Sequence, residues 1–306
     1  MKKCKVMSTT MLAAAMTALL GSGAGIANAT EPCDDFGECK VLVEINSTDG
    51  DIGFHFLMDG DNLRYASLFN PKHRKIFSYG TRRELREQFL TETFAESAEP
   101  LCFDPTLDDD EENDDEDFVT LEEFTDRWTT GKYRFYGIGE GWEVSRGASY
   151  LTFDLPAAPM NLSYEVEEEI DDDGEIDVEG EISWDKGMDL GECSDGLDDL
   201  ILDGVVADPA SVPVAAWEVV LEPDVDDGDP LGSMKYVVRI PYADEDGEPT
   251  EREVEVPDDY LETLPDDTLA KVEVGAIGLD ANATFTEIVD ICLNETEVGC
   301  EEEEDE

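Results

Sequence analysis

Apolar side chains alternate with polar ones along much of the chain, which is the pattern of β-strands that bury one face. In the first half, the alternating apolar sets are Val41, Val43 and Ile45, then Phe54, Phe56 and Met58, then Tyr133 and Phe135. Asp49-Gly50 and Asp59-Gly60 follow two of these runs and predict hairpin turns. We therefore expect half-buried strands joined by short turns in this part of the chain.

The second half carries the same alternation. Its apolar sets are Ile182 and Trp184, then Trp217, Val219 and Leu221, then Tyr236, Val238 and Ile240, then Val254 and Val256, then Val272, Val274 and Ala276. Pro, Gly and Asp separate these short runs, as in antiparallel sandwiches. The predicted fold class is mainly β, with two β-sandwich-like domains.

Two segments of the first half have a helical pattern instead. Thr81 and Thr120 each precede a glutamate by three positions, which is the capping-box arrangement. Apolar residues follow at helical spacing, namely Leu85, Phe89 and Phe94 after the first box and Leu121, Phe124 and Trp128 after the second. We predict one or two short helices, each with an apolar face against the sheet.

Residues 1–29 have the three parts of a secretory signal peptide. Lys2, Lys3 and Lys5 make a basic start, an apolar stretch follows, and Ala27-Asn28-Ala29 supplies the small residues at a cleavage site. The apolar stretch is shorter than the roughly 20 residues that span a bilayer, and no later stretch approaches that length. We expect an exported protein, periplasmic or secreted, without membrane insertion.

Six cysteines lie beyond the signal peptide, an even number in an oxidising compartment, so disulfides are expected. They are Cys33, Cys39, Cys102, Cys193, Cys292 and Cys300. Sequence alone cannot choose among the possible pairings. Closeness along the chain favours Cys33 with Cys39 and Cys292 with Cys300, which leaves Cys102 with Cys193.

Changes in composition after the signal peptide indicate two domains and an acidic tail. Prolines at the segment Pro156-Ala157-Ala158-Pro159 mark a join between an N-terminal β-rich domain, residues 30–155, and a second domain, residues 156–297. Nine of the ten residues at positions 108–117 are acidic, and we expect this segment to form a mobile loop. The acidic tail, residues 298–306, is expected to be disordered.

The order of residues in 156–297 resembles that of a fibronectin type III domain. Pro156-Ala157-Ala158-Pro159 resembles that family's first strand, Ile182-Ser183-Trp184 its second, Trp217 the aromatic position of its third, and Val272, Val274 and Ala276 its sixth. Ala270 replaces the family's usual corner tyrosine, and residues 165–181 look like an acidic insertion. The first half is similar to uncharacterised secreted bacterial proteins that end in such a domain. The resemblance implies an architecture and no activity.

Charge restricts the partners of this protein. The net charge is -59, and the signal peptide holds lysines but no acids, so the exported part is more negative still. Such self-repulsion is relieved by salt, which indicates adaptation to saline surroundings. Nucleic acid and anionic lipid are repelled, whereas basic proteins and non-specific cations are attracted.

Few residues of the chain match a known catalytic or metal-binding pattern. His55 and His73 are the only histidines; His55 lies between Phe54 and Phe56, so on an alternating strand it points away from the face that those rings bury. We predict no catalytic residue, no enzyme activity and no cofactor. Calcium remains open, because Asp171, Asp173 and Asp177 match the centre of an EF-hand loop but Gly180 replaces its final glutamate.

These observations predict an exported, non-catalytic binding or scaffold protein of a salt-adapted bacterium, whose β-sandwich surfaces meet another protein. One alternative is a calcium-dependent envelope or adhesion protein, and a second is a hydrolase without a recognisable motif. Trp142 lies close to Gly139 and Gly141. Its side chain could face solvent and stack against a sugar, but we expect it to be a core residue that anchors a turn.

Overall fold

β-Strands dominate the computed structural model, which describes residues 33, 35–104, 118–170, 176–225, 229–243, 247–265 and 268–293. The mainly β fold class, with sheets that stack on one another, is confirmed. The strands of the first half are β1 (Glu38–Asn46), β2 (Asp51–Leu63), β3 (Tyr65–Phe69), β4 (Lys75–Gly80), β5 (Leu90–Glu96), β6 (Gly131–Ile138) and β7 (Val144–Leu151). Those of the second half are β8 (Met160–Ile170), β9 (Ile176–Asp185), β10 (Val214–Pro223), β11 (Tyr236–Pro241), β12 (Glu253–Val256), β13 (Leu269–Gly278) and β14 (Ala283–Cys292). The short helices are α1 (Glu84–Gln88), α2 (Leu121–Arg127), α3 (Leu197–Leu202) and α4 (Asp258–Leu261).

The strands form three sheets. A seven-stranded sheet has the order β11-β10-β13-β14-β1-β2-β5, a four-stranded sheet the order β4-β3-β6-β7, and a three-stranded sheet the order β12-β9-β8. Parallel pairing of β1 with β14 joins strands from both halves of the chain in the largest sheet. The two halves therefore share one continuous sheet.

Both smaller sheets cover the same face of the seven-stranded sheet. Cross-strand pairing connects Ile45 to Thr284, Thr284 to Ala276, and Ala276 to Trp217, and all four side chains are buried. Directly paired residues point to the same side of a sheet, so this series marks the inner face. We call the opposite side the outer face.

Two hydrophobic cores lie beneath the inner face. The first packs β1 and β2 against β3, β6 and α2, and the second packs β10 and β13 against β9 and β12. Leu190, Leu197 and Leu200 from the second half of the chain join the first core. The alternating apolar sets predicted from the sequence supply buried side chains to both cores, and the half-buried set Tyr236, Val238 and Ile240 packs against the second, which confirms their strand positions.

The helix predictions have mixed outcomes. Thr120 caps α2 by accepting a hydrogen bond from the Glu123 backbone N–H, and Leu121 and Phe124 are buried, as predicted. After Thr81 the short helix α1 is present, but its capping box and apolar face are not, because Arg83 is the N-cap without a side-chain hydrogen bond and the helix buries no residue. Phe94 lies in strand β5, where pairing with β2 overrides the helical spacing.

Two further expectations are corrected. Asp59-Gly60 does not make a hairpin turn, because β2 continues through it and changes register with β5 between Asp59 and Leu63. Trp142 is not a core residue: its side chain is 74% exposed, at the connection between β6 and β7. Asp49-Gly50 does lie in the turn between β1 and β2, as predicted.

Disulfides join Cys33 to Cys39 and Cys102 to Cys193, as predicted. Cys292 is disulfide-bonded as well, and its predicted partner Cys300 lies outside the described residues. The predicted acidic insertion is a hairpin formed by β8 and β9. The acidic loop 108–117 and the tail 298–306 also lie outside the described residues. Among the described helices, none has the length and apolar character needed to cross a membrane.

Candidate functional site

A hollow of about 300 Å³ opens on the outer face, where strands from both halves of the chain meet. Five carboxylates line it, together with one amide and two apolar side chains. The lining residues are Glu44, Asn46, Asp51, Glu99, Glu218, Val220, Glu273 and Phe285. We call this feature the acidic hollow.

Strand register brings these carboxylates together. Glu44 points outward between the buried Val43 and Ile45, and Glu218 and Glu273 occupy the equivalent outward positions on β10 and β13. Phe285 on β14 lies between the two groups, with its ring over Gly275, where any Cβ would approach ring atoms to 2.4 Å. The parallel pairing of β1 with β14 therefore places acids from distant parts of the sequence around one aromatic floor.

Glu99 lines the acidic hollow on the side nearest β5 and contacts His55 on β2. As predicted, the His55 side chain points away from the face that buries Phe54 and Phe56, and it is nevertheless only 3% exposed. Its Nε2 atom lies 2.7 Å from Oε1 of Glu99, which approaches from the segment after β5. Gly53 lies beneath this pair, and a Cβ there would come within 2.7 Å of both atoms.

Basic side chains balance part of the negative charge. Lys271 lies 3.1 Å from Glu273 and 3.4 Å from both Glu222 and Glu287, and these carboxylates raise its pKa above the ordinary value even though burial opposes that shift. Arg239 pairs with Glu218. In the part of the chain that the structure describes, no ion pair joins Glu44 or Asp51 to a Lys, Arg or His side chain.

The two carboxylates without an ion pair have raised pKa values. Burial, followed by the nearby Glu99 charge, raises the pKa of Asp51 to about 6. Burial is also the main cause of the raised pKa of Glu44; His55 opposes the shift, whereas Glu99, Glu218 and Glu273 add to it. Deprotonation at both positions is less favourable in the folded protein than in the unfolded chain, so a positive charge placed in the acidic hollow would be stabilised there.

We expect Asp51→Asn to stabilise the protein at pH 7.5 and to leave its stability unchanged at pH 3.5. The folded-state pKa of about 6 is above the ordinary 3.8, so the folded state binds more protons than the unfolded state between these values. Stability therefore falls as pH rises through this window. With allowance for solvent screening, the gain at pH 7.5 is about 1–2 kcal/mol. Urea unfolding at both pH values measures it, with Asp199→Asn on the exposed surface of α3 as control.

None of the described residues that line the acidic hollow is a calcium candidate. Asp171 and Asp173 lie outside the described residues, and Asp177 is described only as part of strand β9. His73 is exposed in the turn before β4 and does not line the hollow. Among the described residues singled out from the sequence, His55 contacts this site through Glu99.

Sequence reasoning missed the carboxylates of the acidic hollow. Glu44, Glu218 and Glu273 each interrupt an alternating apolar run, a signal that marks them as outward-facing. That signal does not distinguish them from the many other acids of the chain.

No protein-family model matches the chain, and no curated protein matches it. Function therefore has to be inferred from the geometry of the acidic hollow itself.

Proposed function

We propose that this chain is an exported, non-catalytic binding protein of a salt-adapted bacterium, and that its ligand carries positive charge and binds in the acidic hollow. The signal-peptide pattern and the disulfides support export. The outer face supports binding, because neither of the two smaller sheets covers it. Its strongly negative surroundings select against anionic ligands and attract cationic ones.

One observation carries this proposal: Glu44 and Asp51 line the acidic hollow, neither forms an ion pair with another described residue, and both have raised pKa values. Carboxylates held in this way destabilise the folded protein at neutral pH. Residues that lower stability are commonly those that function requires. A cationic ligand would remove the repulsion among the carboxylates and would be bound by the same interactions.

Apolar side chains near the acidic hollow favour another protein as the source of that charge. Val220 and Phe285 line the hollow and are half-buried, while Phe94 on β5 and Val237 on β11 are exposed at the two edges of the same sheet. Protein interfaces combine apolar contacts of this kind with charge complementarity. An arginine or lysine side chain in the hollow, with apolar contacts around it, fits the outer face.

A hydrolase is a second candidate, and one observation favours it. The pKa of Asp51, raised to about 6, would allow that carboxylic acid to donate a proton near neutral pH. Binding ranks first because burial, with a smaller contribution from the Glu99 charge, explains the raised pKa of Asp51, and carboxylates in such surroundings attract a cation without any reaction. Calcium-dependent adhesion stays a prediction, since its candidate loop includes residues outside the described ones.

The proposal is tested by calorimetric titration with a short peptide of alternating arginine and lysine. In 1 M NaCl the screening length is about 3 Å, so only ion pairs in close contact contribute to affinity. We expect the double variant Glu44→Gln with Asp51→Asn to bind the peptide at least about tenfold more weakly, a loss of about 1.4 kcal/mol, and to be more stable than the original protein.

The matched control is Asp198→Asn with Asp199→Asn, which removes the same charge from exposed positions on α3. This control should retain the original affinity. Equal losses in both double variants would mean that the peptide responds only to net charge, and the proposed function would then be wrong.

A further inference from the structure

Glu44, His55 and Glu99 converge at one end of the acidic hollow. Each offers one metal-ligating atom, and these three atoms all lie within 4.8 Å of one another. The ligands come from three adjacent places in the sheet: β1, its hairpin partner β2, and the segment that follows β5. Two of them therefore stand on paired strands, which are rigid supports for a binding site.

The buried imidazole separates this group from a simple cluster of surface acids. Acidic side chains crowd many surfaces of so negative a protein, but His55 is only 3% exposed and its Nε2 atom is directed at the Glu99 carboxylate. Histidine provides a nitrogen ligand that hard cations do not need and that transition-metal ions prefer.

Gly53 allows the side chains of His55 and Glu99 to approach each other over the sheet. It pairs directly with Glu44 across β1 and β2, and it lies beneath the side chains of His55 and Glu99. A Cβ at this position would lie 2.7 Å from both His55 Nε2 and Glu99 Oε1, closer than real contacts allow. The missing side chain therefore leaves the space that the His55 and Glu99 ligand atoms occupy, next to Glu44 on the paired strand.

The chemistry of the donors identifies the class of ion. Two carboxylates and one neutral imidazole carry two negative charges, which balance one divalent cation. Mixed oxygen and nitrogen donors suit Zn²⁺ and neighbouring divalent transition metals, whereas Mg²⁺ and Ca²⁺ are bound by oxygen. A set of three protein ligands leaves a coordination position open for a further ligand.

We propose that Glu44, His55 and Glu99 bind a divalent transition-metal ion such as Zn²⁺. This inference rests on the proposed function, because the ion is a second positively charged ligand of the acidic hollow, in addition to the basic side chain of the partner protein. In a tetrahedral site with metal–ligand distances of about 2 Å, ligand atoms are about 3.3 Å apart, so the three side chains must adjust slightly. Glu99 can adjust by rotation because its side chain is 36% exposed.

The test is a titration of the protein with Zn²⁺ alone, followed by NMR of ¹⁵N-labelled histidine. The chain has two histidines, so the exposed His73 is an internal control for His55. We expect the His55 Nε2 resonance to shift with one equivalent of Zn²⁺ while the His73 resonances stay in place. Mg²⁺ at the same concentration should shift neither.

Variants identify the ligands. His55→Gln should weaken Zn²⁺ binding at least about tenfold, and Glu99→Gln gives an independent test if the first variant folds poorly, because Glu99 is at the surface. The matched control is Glu92→Gln, which removes an exposed carboxylate from β5 and should leave the zinc affinity unchanged.

The outcomes separate this inference from the function on which it rests. The proposal of a metal site is wrong if the His55 resonances do not move, or if His55→Gln and Glu99→Gln bind Zn²⁺ as tightly as the original protein does. Peptide binding that still depends on Glu44 and Asp51 would then leave the proposed function standing. Failure of both the zinc and the peptide titrations would overturn both.

Discussion

Removal of the Cys102–Cys193 disulfide is expected to lower the free energy of unfolding by about 4–5 kcal/mol. The bond closes a loop with a sequence separation of 91 residues, so it strongly restricts the unfolded chain. It also has a local role in the folded protein. The Cys102 backbone N–H donates to Gly50, and the Cys193 sulfur lies 3.6 Å from the Asp51 carbonyl oxygen. The disulfide therefore holds the β1–β2 turn, where the acidic hollow begins.

Urea unfolding of the double variant Cys102→Ala with Cys193→Ala measures this effect. The matched control is Cys33→Ala with Cys39→Ala, which opens a loop with a separation of only 6 residues. Loop entropy predicts a loss of about 2 kcal/mol for the control. Equal losses from the two pairs would contradict the view that the longer bond stabilises by connecting distant parts of the chain.

Trp217→Ala is expected to destabilise the protein by about 3–5 kcal/mol. Trp217 lies at the centre of the second core and is completely buried on β10. Its ring meets Trp184 edge to face, with centroids 5.9 Å apart, and also approaches Tyr242. Truncation would leave a cavity between the seven-stranded and three-stranded sheets, because neighbouring strands are fixed by their hydrogen bonds.

Trp142→Ala is the control for this substitution. It removes the same side chain from the exposed connection between β6 and β7, and we expect a change of less than about 0.5 kcal/mol. Unfolding followed by circular dichroism avoids the loss of tryptophan fluorescence in either variant. A loss below about 1 kcal/mol for Trp217→Ala would show that the second core is loosely packed, contrary to its described contacts.

The sequence was sufficient to predict most of the strands. Alternation identifies the inner face because burial of every second side chain is a local property of a strand, as Val41, Val43 and Ile45 show. Helix α2 was predictable for the same reason, since the Thr120 cap is formed by neighbouring residues. The turn at Asp59-Gly60 was not, because pairing between β2 and β5 decides where the strand ends.

The acidic hollow depends on contacts that no local pattern contains. Glu44 and Glu218 are far apart in the chain, and they meet because β1 pairs in parallel with β14. Glu99 comes from an irregular segment after β5, where no periodicity exists to indicate its direction. The outward position of His55 was predictable from its neighbours, but its burial and its contact with Glu99 were not.

The pKa of Asp51, measured with and without a cationic ligand, tests most directly whether the acidic hollow binds a positive charge. NMR of ¹³C-labelled aspartate follows this titration. Asp51→Asn assigns the resonance. We expect a titration midpoint of about 6 for Asp51 in the free protein, and we expect this midpoint to fall by at least one unit when the arginine–lysine peptide binds. A midpoint near the ordinary 3.8, or one that the peptide does not change, would contradict the proposal that the carboxylates of the acidic hollow bind a positively charged ligand.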